Sequence, residues 1–443
     1  MTSCAVADAA HRPGAVSIAA WLALALVLAA GAVLRLTWLD DIEFKADEAW
    51  TWRHAMLAGR GEPLTWVGMP TSAGPENPGM SLWAFIPLRW LGNTPVDMAR
   101  GVAWLSIASM AAIVVLACTL VPASEREIWL WAVALEAVHP LSVLHHRKIW
   151  PPCLFPLLLA LFLACWWRRD RRLSAFCWGM LGPVLAQINL SAAFFAGAFA
   201  LWTWFSKRSR TAWKSWLAGS VIASLPAIPW LLYVSTVSTQ PRLTTLKWSR
   251  ALEGKFYLRW FTEPFGCGLD HALGEDYLDF LSRPVVGGKS TWLVGALQVA
   301  GLVIAVAIAW RWIRKKPWQR PAWRAVFSRN ATEGVPYRGT ALVCSAAFWG
   351  YGMLLTLSCL PLHRQYSIIV YLLNLLWVAY AALSVAQGDR AALRSGRRLL
   401  AGLLIVELLI SASFLSYIHD RQVIDGDYGV TFAAQRSTLG VRR

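Results

Sequence analysis

Two adjacent carboxylates, Asp47 and Glu48, are the residues of this sequence best suited to acid–base chemistry. They lie in the stretch LRLTWLDDIEFKADEAWTWRHAMLAGR (34–60), which predicts a short helix from about Ala46. Both acids then fall in the first helical turn, where the helix dipole favours negative charge. A positioned carboxylate can act as a general base and contribute about 10²–10⁴-fold to a rate. Acidic helix starts are also common in solvated amphipathic helices, so the pattern alone leaves a purely structural alternative open.

The composition places these acids in a membrane protein. The chain has 443 residues, of which 57% are hydrophobic and only 15% charged. Stretches such as 14–34 and 291–310 are uncharged for about 20 residues, the length that crosses the hydrocarbon core as a helix. The net charge of +17 sits in short basic runs between apolar segments, a pattern typical of cytoplasmic loops. We therefore expect no nucleic-acid partner.

The basic runs predict an orientation, because Lys and Arg near span ends stay cytoplasmic. Four runs fix the inner face: 166–172, 206–214, 311–338 and 388–398. Parity then makes 80–92, which is short and contains Pro87 and Arg89, an interfacial or re-entrant helix. The predicted fold is all-α, a single membrane domain (1–443) with about eleven spans, a cytoplasmic amino terminus and an outer carboxyl terminus. The spans are expected near 14–36, 98–121, 127–145, 150–167, 173–188, 190–206, 213–236, 291–312, 340–359, 366–386 and 398–417. Outside lie the first outer loop (37–97, with interfacial helices), the second outer loop (237–290) and a tail (418–443).

Two clusters of basic residues break this positive-inside trend. His145, His146, Arg147 and Lys148 fall at the outer end of the third span, and His363 with Arg364 at the outer end of the tenth. Cations on the outer face are explained by binding an anion such as a phosphate, whose charge fixed cations can stabilise. The alternative for each residue is contact with lipid headgroups or snorkelling.

An outer loop after the first span, with Asp-Glu a dozen residues beyond an Arg, resembles the GT-C membrane glycosyltransferases. Protein O-mannosyltransferases and the lipid A aminoarabinose transferase belong to that superfamily. AVHPLSVLHHRKIWP (137–151) and HRQYSI (363–368) resemble further elements of it. The resemblance implies that Asp47 is the catalytic base or a carboxylate that orients the acceptor. Many relatives have a His-Pro-Pro-Leu type segment at 77–80, and many carry a second Asp near 145–148; this chain has neither.

These observations predict a hexosyl- or pentosyltransferase of the bacterial inner membrane. It would move a sugar from a polyprenyl-phosphate donor to a lipid, glycan or protein acceptor on the extracytoplasmic face, and the anomeric configuration would be inverted. Membrane lipids are expected as further partners. Asp47 would be the base, and Glu48 would orient the loop or share a proton. Residues expected to bind the donor phosphate are His146, Arg147, Lys148, His363, Arg364 and Tyr366.

No cofactor is expected to be required and no metal site is predicted, although a divalent cation is left open. The rival functions are a transporter or flippase of lipid-linked sugars and a non-catalytic membrane scaffold. Two related halves with broken helices at matching positions would favour a transporter, and the uneven loops of this chain count against it.

Overall fold

A computed structural model describes residues 17–70, 76–206, 211–236, 247–314, 338–384 and 389–438, and the fold is built almost wholly from helices. Short 3₁₀ and π turns join several of them, and one two-residue hairpin pairs Val285–Val286 with Lys289–Ser290. The α-helices are Ile18–Leu36, Ala46–Leu57, Met80–Trp83, Pro95–Thr119, Ala123–Val138, Pro140–His145, Phe155–Trp167, Arg172–Ile188, Ser191–Phe205, Trp213–Ser224, Ile228–Thr236, Lys255–Thr262, Leu269–Leu273, Tyr277–Ser282, Leu293–Arg314, Arg338–Ser345, Gly352–Leu357, Tyr371–Ser384, Arg390–Arg421 and Phe432–Thr438.

Helix forms most of the described part of every segment predicted as a span, which confirms the all-α polytopic class. Among the described residues, seven helical segments are long and apolar enough to cross a membrane. The exact number of eleven crossings stays a prediction. Most of the basic run 311–338 lies outside the described residues.

Local capping explains where two of the long helices begin. Thr94 and Asp97 form a reciprocal capping box at the start of Pro95–Thr119, where Pro95 loses no hydrogen bond. Asp389 Oδ1 accepts from the backbone N–H groups of Ala391 and Ala392 at 2.9 and 3.0 Å. Each cap satisfies amide groups that a helix start otherwise leaves without a partner.

The segment predicted to be interfacial, 80–92, forms one short α-helix and a 3₁₀ turn rather than a long helix. Met80–Trp83 makes a single turn, and Ile86–Leu91 continues as 3₁₀ helix with Pro87 near its start. Arg89 donates to the carbonyl of Ala58 at 2.5 Å. This bond ties the segment to the end of the first outer helix, Ala46–Leu57.

One helix forms the centre of the fold. Tyr371–Ser384 is buried along its whole length and packs against Ala123–Val138. The predicted third span, 127–145, is broken at His139, after which Pro140 starts the short helix Pro140–His145. Proline lacks the amide hydrogen that would continue the helix, so the chain turns there. The short helix Pro140–His145 then leads into residues 146–148.

Arg35 fastens the first helix to this core. Its guanidinium is fully buried and donates to the carbonyls of Glu136 and Ala137 at 3.0 and 2.6 Å. The contact requires the helices to approach closely, since a Cβ on Gly31 would lie 2.5 Å from the Ala137 carbonyl oxygen. The first outer loop therefore starts from a fixed point.

The last long helix, Arg390–Arg421, is longer than a membrane crossing requires. Its 32 residues span about 48 Å at 1.5 Å per residue, against about 30 Å of hydrocarbon. Its final turns carry His419 and Arg421 and lead into the tail, residues 422–438.

The predicted orientation can be tested by labelling single cysteines with a membrane-impermeant maleimide in intact spheroplasts. We expect Glu275→Cys, in the second outer loop, to be labelled from outside because its side chain is exposed. Arg394→Cys, exposed near the start of the last helix, should be labelled only after the membrane is opened. The unmodified chain corrects for its native cysteines, and the reverse pattern would overturn the orientation.

Arg35→Met should destabilise the protein strongly, because it leaves buried carbonyl groups without donors. Each unsatisfied buried group costs about 1–3 kcal/mol, so a loss of about 3 kcal/mol or more is expected. Thermal denaturation in detergent would show it as a lower Tm. The matched control is Arg394→Met at an exposed position, and equal Tm values for the two variants would refute the structural role of Arg35.

Candidate active site

Glu48 fixes the start of the first outer helix. One of its oxygens, Oε2, accepts from the backbone N–H of Lys45 at 2.9 Å and so caps the helix. Its side chain is fully buried. The sequence-based alternative in which Glu48 orients the loop is the one that this geometry favours.

Lys148 is the cation that holds the loop from the core side. Its Nζ lies 2.7 Å from Glu43 Oε1 and 3.1 Å from Glu48 Oε1, and only 9% of its side chain is exposed. Burial alone would lower the pKa of Lys148, but the carboxylates of Glu43 and Glu48 outweigh it and raise that pKa. Lys148 therefore stays protonated and joins the first outer loop to the segment after the third predicted span.

Asp47 is exposed, in contrast to its buried neighbour Glu48. Consecutive helical residues point about 100° apart, so the cap that turns Glu48 inward leaves Asp47 facing outward. Partial burial and the negative charge of Glu48 raise the pKa of Asp47, while Lys148 and Lys45 oppose the shift. An accessible carboxylate with a raised pKa is better suited to accept a proton than an ordinary aspartate.

The sequence analysis did not single out three residues of this cluster: Glu43, Lys45 and Asp427. Lys45 Nζ lies 2.5 Å from Glu43 Oε1 and 3.3 Å from Asp427 Oδ1. Burial by itself would raise the pKa of Asp427, yet the two lysines, Lys45 and Lys148, lower it below its ordinary value. In the sequence, Asp427 lies in the run DGDYG (425–429). Alternating Asp and Gly indicate a tight turn, and this was the local signal that could have located Asp427.

Arg364 lies in a different part of the chain but joins the same network. Its Nη2 is 3.1 Å from Asp270 Oδ1, and its Nη1 donates to the carbonyl of Gly268. The next residue along, His271, places Nε2 3.8 Å from Asp427 Oδ2. Polar contacts thus run from the first outer helix through the tail and second outer loop to Arg364, all at one end of the helices.

His146 and Arg147 point into the protein instead of into this network. His146 Nδ1 lies 2.8 Å from Ser106 Oγ and 3.1 Å from a guanidinium nitrogen of Arg35. Arg147 Nη2 donates to the Trp38 carbonyl at 2.5 Å, just past the end of the first helix. These contacts give both residues a structural role, and a donor-phosphate role for either stays a prediction.

The two other residues predicted around Arg364 lie next to it. His363 precedes the 3₁₀ turn that carries Arg364, and its ring packs edge-on against Tyr366 with 5.8 Å between centroids. The backbone carbonyl of Tyr366 accepts from Tyr351 Oη at 2.7 Å. A donor-phosphate role for His363 and Tyr366 stays a prediction.

The candidate site contains several carboxylates, and those of Glu43, Glu48 and Asp270 pair with lysine or arginine side chains. Within the part of the chain that the structure describes, no group of three or more His, Cys, Asp and Glu side chains could hold a metal ion. The lack of a metal requirement stays a prediction.

No protein-family model matches the sequence, and neither does any curated protein. Among solved structures, ArnT from Cupriavidus metallidurans bound to undecaprenyl phosphate is similar at 13% identity and a TM-score of 0.50, over 91% of this chain and 79% of that one. The oligosaccharyltransferase from Archaeoglobus fulgidus in the apo form aligns with 89% of this chain but only 55% of its own, at 13% identity and a TM-score of 0.46. The similarity to ArnT extends over nearly the whole of this chain. The protein is therefore a multi-pass membrane protein that shares its overall fold with ArnT, in agreement with the fold expected from its resemblance to the GT-C glycosyltransferases.

Proposed function

We propose that this chain is a membrane glycosyltransferase that takes a sugar from a polyprenyl-phosphate donor. It transfers the sugar to an acceptor at the extracytoplasmic face of its membrane. The observation that carries the proposal is the exposed Asp47, held by the Glu48–Lys148 ion pair in a network that also contains Arg364. The fold shared with ArnT, whose solved structure contains undecaprenyl phosphate, supports the choice of donor.

In the proposed reaction an acceptor hydroxyl oxygen attacks the anomeric carbon of the sugar. The bond between that carbon and the phosphate oxygen breaks, and the electron pair leaves with the phosphate. Asp47 takes the hydroxyl proton. A single displacement of this kind inverts the anomeric configuration.

The leaving phosphate gains negative charge, and a fixed cation stabilises that charge. Arg364 is the predicted cation best placed for this role, because 28% of its side chain is exposed whereas that of Lys148 is almost fully covered. Lys148 would act from the core side. It would hold the acidic loop, by which we mean the part of the first outer loop that carries Glu43, Asp47 and Glu48. We assign His146 and Arg147 a structural role on the contacts described above.

Replacing Asp47 by Asn should lower consumption of labelled polyprenyl-phosphate sugar about 10²–10⁴-fold, the usual contribution of a positioned base. Arg364→Ala should also lower it, by weakening the hold on the phosphate. The matched control is Glu62→Gln, a second exposed acid of the first outer loop, which should turn over normally. Mass spectrometry of donor lipid after incubation with purified protein would measure all three.

Unchanged turnover in the Asp47 variant would reject the proposed base. Transfer of intact donor across the membrane of proteoliposomes, with its sugar–phosphate bond unbroken, would instead identify a flippase.

The pH profile gives a second test, because the base must be ionised. Activity should be lost as the pH falls through the raised pKa of Asp47, so the acidic limb should lie above the ordinary aspartate value. Glu48→Gln removes a negative charge that raises this pKa, while an amide oxygen can still accept from the backbone N–H of Lys45. The limb of kcat/KM should therefore move to lower pH, and it should stay in place in Glu62→Gln. A shift to higher pH would contradict the assignment.

A further inference from the structure

A concave surface lies beside the first outer loop and is separate from the ion-pair network. This cavity of about 1000 Å³ lies at the outer ends of the helices Ile18–Leu36 and Pro95–Thr119 and is closed on one side by the tail helix Phe432–Thr438. We call it the aromatic groove. Its aromatic lining includes Phe44, Trp52, Trp104 and Phe432.

The groove shares a wall with the candidate active site. Glu43 turns its carboxylate to Lys148, while the next residue, Phe44, lines the groove. Phe44 packs edge-on against Phe432 with 5.1 Å between centroids, and its carbonyl accepts from Gln435 Nε2 at 2.5 Å. A ligand in the groove would therefore touch the loop that carries Asp47.

The charges of the groove do not suit a phosphate. Arg100 Nη1 lies 2.6 Å from Asp97 Oδ1, and Arg436 Nη1 lies 3.8 Å from Asp40 Oδ1. Each arginine of the lining thus faces an acid, and the two pairs together are neutral. The amide of Asn93 adds a neutral donor and acceptor beside the aromatic faces. Gln435 adds an acceptor oxygen, because its Nε2 already donates to the carbonyls of Phe44 and Val430.

The surroundings of the groove suit a molecule that also has a lipid tail. Trp104, in the early turns of its helix, is 52% exposed, and Val33, near the end of the first helix, is 62% exposed. An exposed tryptophan near the end of a predicted span is typical of the membrane interface. Exposed apolar side chains continue along both helices away from the groove, including Leu26 at 71% and Val115 at 59% exposure. An amphiphile held beside these helices would reach the groove laterally.

We propose that the aromatic groove binds the acceptor, and that this acceptor is a neutral sugar-bearing lipid. Its sugar ring would stack on the aromatic side chains, its hydroxyls would bond to Asn93 and Gln435, and one hydroxyl would be presented to Asp47. The proposal rests on the glycosyltransferase function, because it assigns the second substrate of that reaction. It also separates the substrates, with the phosphate of the donor on the Arg364 side of the acidic loop and the acceptor on the Phe44 side.

The test measures lipids bound to purified full-length protein by native mass spectrometry, after incubation with vesicles of phosphatidylcholine that contain dihexosyl diacylglycerol. Asn93→Trp fills the groove from an exposed position and should lower glycolipid binding at least 10-fold. Trp104→Ala, which removes a stacking face and fills nothing, should lower it too and serves if Asn93→Trp does not insert. Glu62→Trp, exposed in the same outer loop but outside the groove, should bind like the unaltered chain. Retention of labelled polyprenyl phosphate should stay unchanged in all three variants.

Glycolipid binding that survives both groove variants would overturn the proposal, as would loss of polyprenyl phosphate in Asn93→Trp. Displacement of the glycolipid by phosphatidylglycerol at equal load would also overturn it, because the groove would then prefer an anionic headgroup. Glycolipid binding that is sensitive to the groove variants, in a chain that never consumes polyprenyl-phosphate sugar, would support the groove and reject the transfer reaction.

Discussion

The ion pair between Lys148 and the two buried glutamates, Glu43 and Glu48, is the interaction on which the structure of the first outer loop depends. A buried ammonium is tolerated only where its partners compensate for lost hydration, and Glu43 and Glu48 do so at 2.7 and 3.1 Å. Because Glu48 also caps its helix, one carboxylate fixes both the start of that helix and its distance from the core. The exposure of Asp47 follows from these constraints.

The same end of the protein is assembled from segments far apart in the chain. Arg35 fastens the first helix to the core, and Arg147 satisfies a carbonyl just beyond that helix. The tail crosses over the first outer loop: Tyr428 Oη donates to the Asp41 carbonyl at 2.5 Å, and Phe432 N–H donates to the Ile42 carbonyl at 3.0 Å. The candidate site is thus held by backbone and side-chain contacts on several sides.

Much of the architecture could be predicted from local patterns. Apolar length located the helical segments. The short Pro-containing stretch at 80–92 was separated from the spans, and it forms only one α-helical turn followed by a 3₁₀ helix. The helix predicted from about Ala46 does begin there, with Asp47 and Glu48 in its first turn; their catalytic role stays a prediction. Their different exposures depend on where Lys148 lies, and that is a tertiary contact.

The separate roles of the basic residues at 146–148 could not be predicted from the sequence pattern. His146, Arg147 and Lys148 are consecutive and equally basic in the sequence, yet one contacts Arg35, one a backbone carbonyl and one a pair of carboxylates. A polar side chain in a membrane protein is either satisfied inside the fold or available to a ligand, and its partner decides between these outcomes. Asp427 was overlooked for the same reason, since its partners come from the opposite end of the chain.

The contact between Lys45 and the tail also has a consequence for biosynthesis. Their partnership spans 382 residues, which a ribosome adding about 5–20 residues per second covers in roughly 20–80 s. During that interval the first outer loop has already been synthesised, while the tail segment that covers it has not been translated. Until the tail has been made, the first outer loop lacks the contact of Lys45 with Asp427. Its structure is therefore completed only after the helix Arg390–Arg421 has been synthesised.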